Sequence, residues 1–310
     1  MSLLKSKQAI GILALSNGLS QSQYQPLCQL EQVLAKMGLS MIWPPSLFVK
    51  ESVYHAKDEV RAEILMEFYK NPDIHAIFDV SGGDLANGVL PYLDYEWIKN
   101  HPKPFFGYSD LSVVLNALYA KTGHPTYLYQ IRNLVGARSE DQQQWFYESL
   151  LSQEKSLFEF PFKWIQGEVM EGVVVGGNIR CFLKLAGTEY WPSVKGKLLL
   201  LEAYSGDVAK MATYLNQYKQ LGVFNEIDGL ILGHFTQMQK TEEVPDIVTL
   251  VQQIVGNPKL PIIKTDAIGH GADAKCVMIG GKYKFKNQEV ALSHVDTSAK
   301  KPLWNMYPQC

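Results

Sequence analysis

Cysteine is scarce and scattered. The four in 310 residues, Cys28, Cys181, Cys276 and Cys310, form no Cys-x-x-Cys pair and share no regular spacing. This excludes a disulfide-stapled scaffold and points to a reduced, cytoplasmic protein. The seven histidines include no His-x-x-x-His or His-Glu-x-x-His, so no metal motif is present, and no cofactor motif stands in for one. Charge of neither sign dominates: 29 Lys and Arg face 31 Asp and Glu, with no block of like charge to attract nucleic acid or a membrane surface. Long apolar runs are missing too, none approaching the roughly 20 residues of a membrane span. The run Ala9 to Leu15 leads into polar Ser16-Asn17 rather than a small-residue cleavage site, and reads as a strand, not a signal peptide.

What is present is apolar residue in quantity, 46% of the chain, enough for one large core or two modest ones. The pattern degrades between about Leu150 and Trp164, which suggests an N-terminal unit over 1–150, a linker over 151–165 and a C-terminal unit over 166–310. In the first unit strands alternate with helices. Ala9 to Leu15, Leu39 to Trp43 and Ile74 to Val80 read as strands; Gln25 to Lys36 and a stretch from Lys57 carry apolar residues at helical spacing. This alternation predicts an α/β fold with a parallel sheet covered on both faces and functional residues at the carboxyl ends of its strands. The second unit reads as mixed α/β. Its expected strands are Glu168 to Val175, Lys197 to Leu201, Ile227 to Leu232 and Pro261 to Ile263, with helices over Ile179 to Ala186, Val208 to Leu221 and Val244 to Val255. Val277 to Gly280 and Lys284 to Leu292 are expected as hairpin-like β segments around Gly280-Gly281.

Three ionisable or nucleophilic residues fall at strand ends. Ser109 follows the apolar run Pro104 to Gly107 and precedes Leu111, Val114, Leu115 and Leu118 at helical spacing, so it stands where strand turns into helix. A serine there is held on a tight turn with the helix N-terminus behind it, a suitable post for a nucleophile. On spacing alone the simpler reading is that Ser109 caps the helix through its hydroxyl. Glu202 ends the run Lys197 to Leu201, where burial would demand a partner for its carboxylate. His270 lies in the glycine-flanked turn Gly269-His270-Gly271. Together they offer a nucleophile, a base and a group to orient that base. Gly82-Gly83, directly after a strand, has three readings: a tight turn, a phosphate cradle, or one wall of an oxyanion hole.

The run Gly82-Gly83-Asp84-Leu85-Ala86-Asn87, continuing through Asn100-His101-Pro102-Lys103-Pro104 to Gly107-Tyr108-Ser109-Asp110, resembles the LD-carboxypeptidase family of serine peptidases, which includes the microcin C immunity peptidases. Gly176-Gly177-Asn178, Leu201-Glu202, Leu232-Gly233-His234-Phe235 and Gly269-His270 extend the resemblance over nearly the whole chain. It implies Ser109 as nucleophile, His270 as general base and Glu202 as the carboxylate orienting it. The backbone N–H groups of Gly83 and Asp110 would form the oxyanion hole. It further implies a homodimer, a catalytic groove between two domains, and no cofactor. The chain departs from the murein-recycling members at Ser81-Gly82-Gly83-Asp84-Leu85, where many read Arg-Gly-Gly-Tyr-Gly, and at Glu202-Ala203-Tyr204, where a Glu-Asp pair is frequent. The expected activity is hydrolysis of the amide between an L-centre and a terminal D-amino acid in cytoplasmic murein peptides. The alternatives are cleavage of aminoacyl-nucleotide amides, and a non-catalytic nucleotide- or peptide-binding module. Arg132, Arg138 and Arg180 are candidates to meet a substrate carboxylate, Arg132 foremost; Asp84 would meet a substrate amine or close its own turn.

Overall fold

The computed structural model describes residues 2–286 and 289–292. Cys310 therefore lies outside the described residues. In chain order the first half runs β1 (Ala9–Leu13), α1 (Tyr24–Lys36), β2 (Ser40–Ile42), α2 (Asp58–Lys70), β3 (Ile74–Asp79), α3 (Tyr95–Asn100), β4 (Phe105–Gly107), α4 (Ser112–Thr122), β5 (Thr126–Leu128) and α5 (Ser139–Phe146). The second half runs β6 (Lys163–Gln166), β7 (Val169–Asn178), α6 (Ile179–Leu183), β8 (Leu198–Ala203), α7 (Val208–Gln220), α8 (Val223–Glu226), β9 (Gly229–Phe235), α9 (Thr236–Lys240), α10 (Ile247–Val255), β10 (Ile262–Lys264), β11 (Val277–Ile279), β12 (Lys282–Lys286) and β13 (Glu289–Leu292).

Among the described residues these strands form two sheets. The first has the order β11-β5-β4-β3-β1-β2 and the second β13-β12-β7-β8-β9-β10-β6. In the first, β1 to β5 pair in parallel and only β11 runs against its neighbour. In the second, β7, β8, β9 and β10 are parallel, and β12, β13 and β6 add antiparallel edges. Buried on both faces, the central strands carry continuous apolar runs: all six residues of β8 are buried, the four leucines Leu198 to Leu201 followed by Glu202 and Ala203. The fold is the α/β arrangement that strand and helix alternation predicts.

Two expectations are corrected. Val277 to Gly280 and Lys284 to Leu292 do not form a hairpin at Gly280-Gly281. Instead β11 pairs antiparallel with β5 in the first sheet, and the chain then crosses to the second sheet, where β12 pairs with β7 and with β13. Local turn chemistry could not show which sheet offered an open edge. The helix expected from Val244 starts at Ile247 instead, because Asp246 caps it by accepting a hydrogen bond from the Thr249 N–H at 2.8 Å. The stretch 151–165 is well packed: Leu157 and Phe158 join the core of the first sheet, while Phe160 and Phe162 join the larger core that spans both halves. None of the described helices is long and apolar enough to cross a membrane.

Across β3, β4 and β5 the rings of Phe78, Phe106 and Tyr127 stack, with centroids 4.2 and 4.4 Å apart. Phe106 is the middle ring and has no solvent exposure. Phe106→Ala should therefore remove both stacking partners and leave a cavity, costing about 3–5 kcal/mol. Urea unfolding followed by circular dichroism would measure this; a loss below about 1 kcal/mol would mean the ladder is dispensable.

Candidate active site

The carboxyl ends of β3 and β4 set up two neighbouring loops. At the end of β4, Ser109 adopts φ 56°, a left-handed conformation rare for a residue with a side chain. A short 3-10 turn, Ser109 to Leu111, leads from there into α4. The capping reading fails: Tyr108 and Leu111 occupy the cap positions, and the Ser109 hydroxyl caps neither turn. Its hydroxyl is thus uncommitted among the described residues, while the Asp110 N–H next to it has no backbone acceptor. The Asp110 side chain is the reverse of free. Fully buried, it accepts from Ser16 Oγ at 2.7 Å, the Ala86 N–H at 2.9 Å and Lys184 Nζ at 2.6 Å.

At the end of β3 the buried Asp79 carboxylate gathers the next loop. It accepts from the Leu15 N–H at 2.7 Å, the Ser81 N–H at 2.7 Å and Ser81 Oγ at 2.6 Å. The wholly buried Arg61 donates to the carbonyls of Leu15, Ser16 and Leu85 and pairs with Asp58. Between these supports stands Gly83, at φ 127° with its N–H free of backbone acceptors among the described residues. A Cβ there would fall 2.1 Å from the Asn17 side chain, so only glycine fits. Asn17 in turn accepts from the Asp84 N–H at 3.0 Å.

The second sheet supplies a carboxylate and an imidazole. Parallel register sets Asn178 of β7 beside Glu202 of β8, and the β8–β9 ladder shifts register at Glu202. Such irregularities re-aim side chains at functional sites. Glu202, 1% exposed, accepts from Asn178 Nδ2 at 3.2 Å through one oxygen and from His270 Nδ1 at 2.7 Å through the other. Gly269 lets the histidine loop come this close: at φ 129°, a Cβ on it would lie 3.1 Å from Glu202 Oε2. With Nδ1 committed as donor to a carboxylate, Nε2 is the nitrogen left to accept a proton. The His270 ring lies between Tyr108 and Tyr204, whose ring centroids are 4.4 and 4.9 Å away. Tyr108 adjoins Ser109, so the histidine packs against the turn that carries the serine, although no hydrogen bond joins the two side chains. Burial pushes the Tyr108 phenol well above its ordinary value, so it stays neutral.

The remaining candidates separate. Asp84, exposed, pairs with Arg180 and has Lys184 at 3.5 Å; partial burial opposes its charge, but these cations outweigh burial and hold its carboxyl below the usual range. Arg180 is thereby committed. Arg138 pairs with Asp141 on the surface at 2.6 Å. Arg132 is mostly buried, donates to Gln23 Oε1 at 3.0 Å and keeps an unpartnered Nε; burial lowers its affinity for a proton, and the field of Asp79 and Tyr108 restores part of it. Among the described residues no group of three or more His, Cys, Asp or Glu side chains is gathered as a metal would need. Sequence reasoning did not single out the supports Asn178, Arg61 and Lys184. Asn178 alone had a signal, as the last residue of Gly176-Gly177-Asn178.

By architecture the molecule is a mixed α/β protein built on two sheets, the first mostly parallel and the second parallel at its centre with antiparallel edges. Models of the LD-carboxypeptidase N-terminal domain and C-terminal domain match residues 10–129 and 171–285, so the chain belongs to the LD-carboxypeptidase family. It is 30% identical over 262 residues to the "Putative carboxypeptidase YocD" of Bacillus subtilis, covering 74% of this chain and 78% of that protein. It is 26% identical over 227 residues to the murein tetrapeptide carboxypeptidase of Pseudomonas aeruginosa, covering 69% and 73%. The microcin C7 self-immunity protein MccF of Escherichia coli is 25% identical over 275 residues, covering 78% and 80%. A structure of MccF in complex with glutamyl sulfamoyl guanosine superposes with a TM-score of 0.84 at 20% identity, covering 94% of this chain and 97% of that one.

Two buried groups beside these loops titrate in opposite senses. Burial, aided by the Arg61 charge, pushes His55 down from 6.5 to about 4, while burial pushes Asp79 up from 3.8 to about 6. As pH rises from about 4 to 6.5, the unfolded chain holds the His55 proton and the native one does not, so this group makes stability increase with pH. Over about 3.8 to 6 the native chain holds the Asp79 proton and the unfolded one does not, so that group makes stability fall. The two nearly cancel. Asp79→Asn should expose the histidine limb, with Tm climbing more steeply between pH 4 and 6.5 than in the parent. Calorimetry at half-unit pH steps would read this, and an unchanged slope would contradict it.

Proposed function

We propose that this protein is a cytoplasmic serine carboxypeptidase that hydrolyses the amide between an L-centre and a C-terminal D-amino acid of murein peptides. The observation that carries the reading is the 2.7 Å bond from His270 Nδ1 to the buried Glu202, with the imidazole packed against the Ser109 turn. In this reading Nε2 of His270 takes the Ser109 proton as Oγ attacks the scissile carbonyl. The N–H groups of Gly83 and Asp110 hold the tetrahedral oxyanion, and the protonated imidazole gives its proton to the leaving amine. Water then repeats the sequence on the acyl-enzyme. Glu202 keeps the imidazole in the productive tautomer. Arg132, in the field of Asp79 and Tyr108, is the candidate for the substrate carboxylate, and Asp84, paired with Arg180 and near Lys184, would have to exchange these partners to meet a substrate amine. The units over 1–150 and 166–310 would flank the substrate groove, with 151–165 between them, and the chain would work as a homodimer. The family membership and the murein tetrapeptide carboxypeptidase among its relatives support this substrate class.

A second reading has its own observation. Tyr204 is 60% exposed with its ring beside His270, offering a flat face to a planar leaving group. MccF binds glutamyl sulfamoyl guanosine, so an aminoacyl-nucleotide amide is the alternative substrate.

Release of D-alanine from L-Ala-D-Glu-meso-diaminopimelate-D-Ala separates the readings. The parent should turn it over, and Ser109→Ala should lose about a thousandfold or more, the size expected for removing a nucleophile. Cleavage of an aminoacyl sulfamoyl adenosine without D-alanine release would move the assignment to the second reading. Binding of either ligand without turnover, untouched by Ser109→Ala, would leave only a binding module.

A further inference from the structure

Lys184 directly follows α6 in the second half of the chain, yet the hydrogen bonds of its ammonium all reach into the first half. On a side chain only 19% exposed, the ammonium donates to Asp110 Oδ1 at 2.6 Å and to the Asp84 carbonyl at 3.0 Å, with Asp84 Oδ1 at 3.5 Å. Asp110 follows Ser109, and Asp84 follows Gly83. One cation therefore ties together the two loops whose N–H groups, in the reading above, receive the oxyanion. Four residues earlier, Arg180 donates to the Gly83 carbonyl at 3.4 Å and pairs with Asp84. The Asp84 N–H is taken by Asn17 at 3.0 Å. The peptide between Gly83 and Asp84 is thus held at both its carbonyl and its N–H.

We infer that Lys184 is a positioning residue that sets the geometry of the oxyanion hole. The inference rests on the proposed serine mechanism and deepens it. The Asp110 carboxylate is fully buried, and apart from Lys184 its partners are the neutral donors Ser16 Oγ and the Ala86 N–H. A buried carboxylate deprived of its cation is strongly destabilised and must shift, recruit water or take up a proton. Each response moves the backbone of Asp110 relative to Gly83. Donors aimed at a developing oxyanion tolerate little displacement, about 1 Å costing on the order of a hundredfold in rate. Lys184 makes this contribution without touching the substrate: the rate falls while ground-state binding stays.

The test compares the parent with Lys184→Met, Lys184→Arg and Ser109→Ala. Two readouts are taken: kcat and KM on whichever amide the parent hydrolyses, and the second-order rate of labelling by a fluorophosphonate, which forms a tetrahedral adduct. Rates are expressed per titratable serine, so a loss of folded protein does not count. Lys184→Met should lower kcat and the labelling rate together by about ten- to a hundredfold, with KM changed less than about threefold. Lys184→Arg, which retains the cation, should recover most of both. Should the Met variant not fold, Lys184→Gln takes its place with the same expectation. A labelling rate equal to the parent's in these variants, with only Tm lowered, overturns the inference and leaves the serine mechanism standing. Failure of the parent itself to be labelled at Ser109 overturns both.

Discussion

A carboxylate buried at the end of a central strand governs this molecule. Glu202 has almost no access to water, so each of its oxygens must find a donor inside the protein. Asn178 takes one and His270 the other, and that division of labour orients the imidazole. The neighbouring strand supplies Asn178 by parallel register, a glycine admits the histidine loop, and Tyr108 brings the imidazole against the serine turn. Had either donor been absent, the charge would have been untenable at that depth.

The same logic repeats in the first sheet with Asp79 and Asp110. Neither carboxylate is exposed, and both spend their acceptors on backbone and side-chain donors of the loops around Gly83. Buried carboxylates act as staples here, holding glycine-rich loops that would otherwise carry large conformational entropy. Arg61 does the corresponding work for carbonyl groups. The strained Ser109 backbone sits within this fixed frame, so the surrounding bonds can hold a conformation the residue alone would leave. The chain belongs to the LD-carboxypeptidase family, and this frame stands at the carboxyl ends of the parallel strands β3 and β4.

Much of the fold was legible because its central strands are apolar on both faces and its helices carry regular apolar stripes. The strands from Ala9, Ile74 and Lys197 and the helices from Gln25 and Val208 emerge within two residues of their expected bounds. Other features were opaque. The strand expected to end at Val175 runs on through Gly176-Gly177-Asn178 as β7, since pairing with β8 continues past the last apolar residue. Residues 151–165 look irregular in sequence but bury Leu157, Phe158, Phe160 and Phe162, because aperiodic segments can still fill gaps between cores. The cation bridging Asp84 and Asp110 left no trace, since Lys184 lies 100 and 74 residues from its two partners.

By itself the sequence determined local matters: which segments become strands or helices, that Ser109 stands at a strand-helix turn, and that Glu202 ends an apolar run. These follow from spacing and from the cost of burying charge, both written in neighbouring residues. Only the tertiary structure decided which partners those residues meet. That β11 completes the first sheet, that Asn178 and His270 divide Glu202 between them, and that Lys184 reaches across to Asp110 all depend on contacts distant in the chain. Such contacts are selected by the satisfaction of buried polar groups in the assembled core, a constraint that exists only once the core has formed.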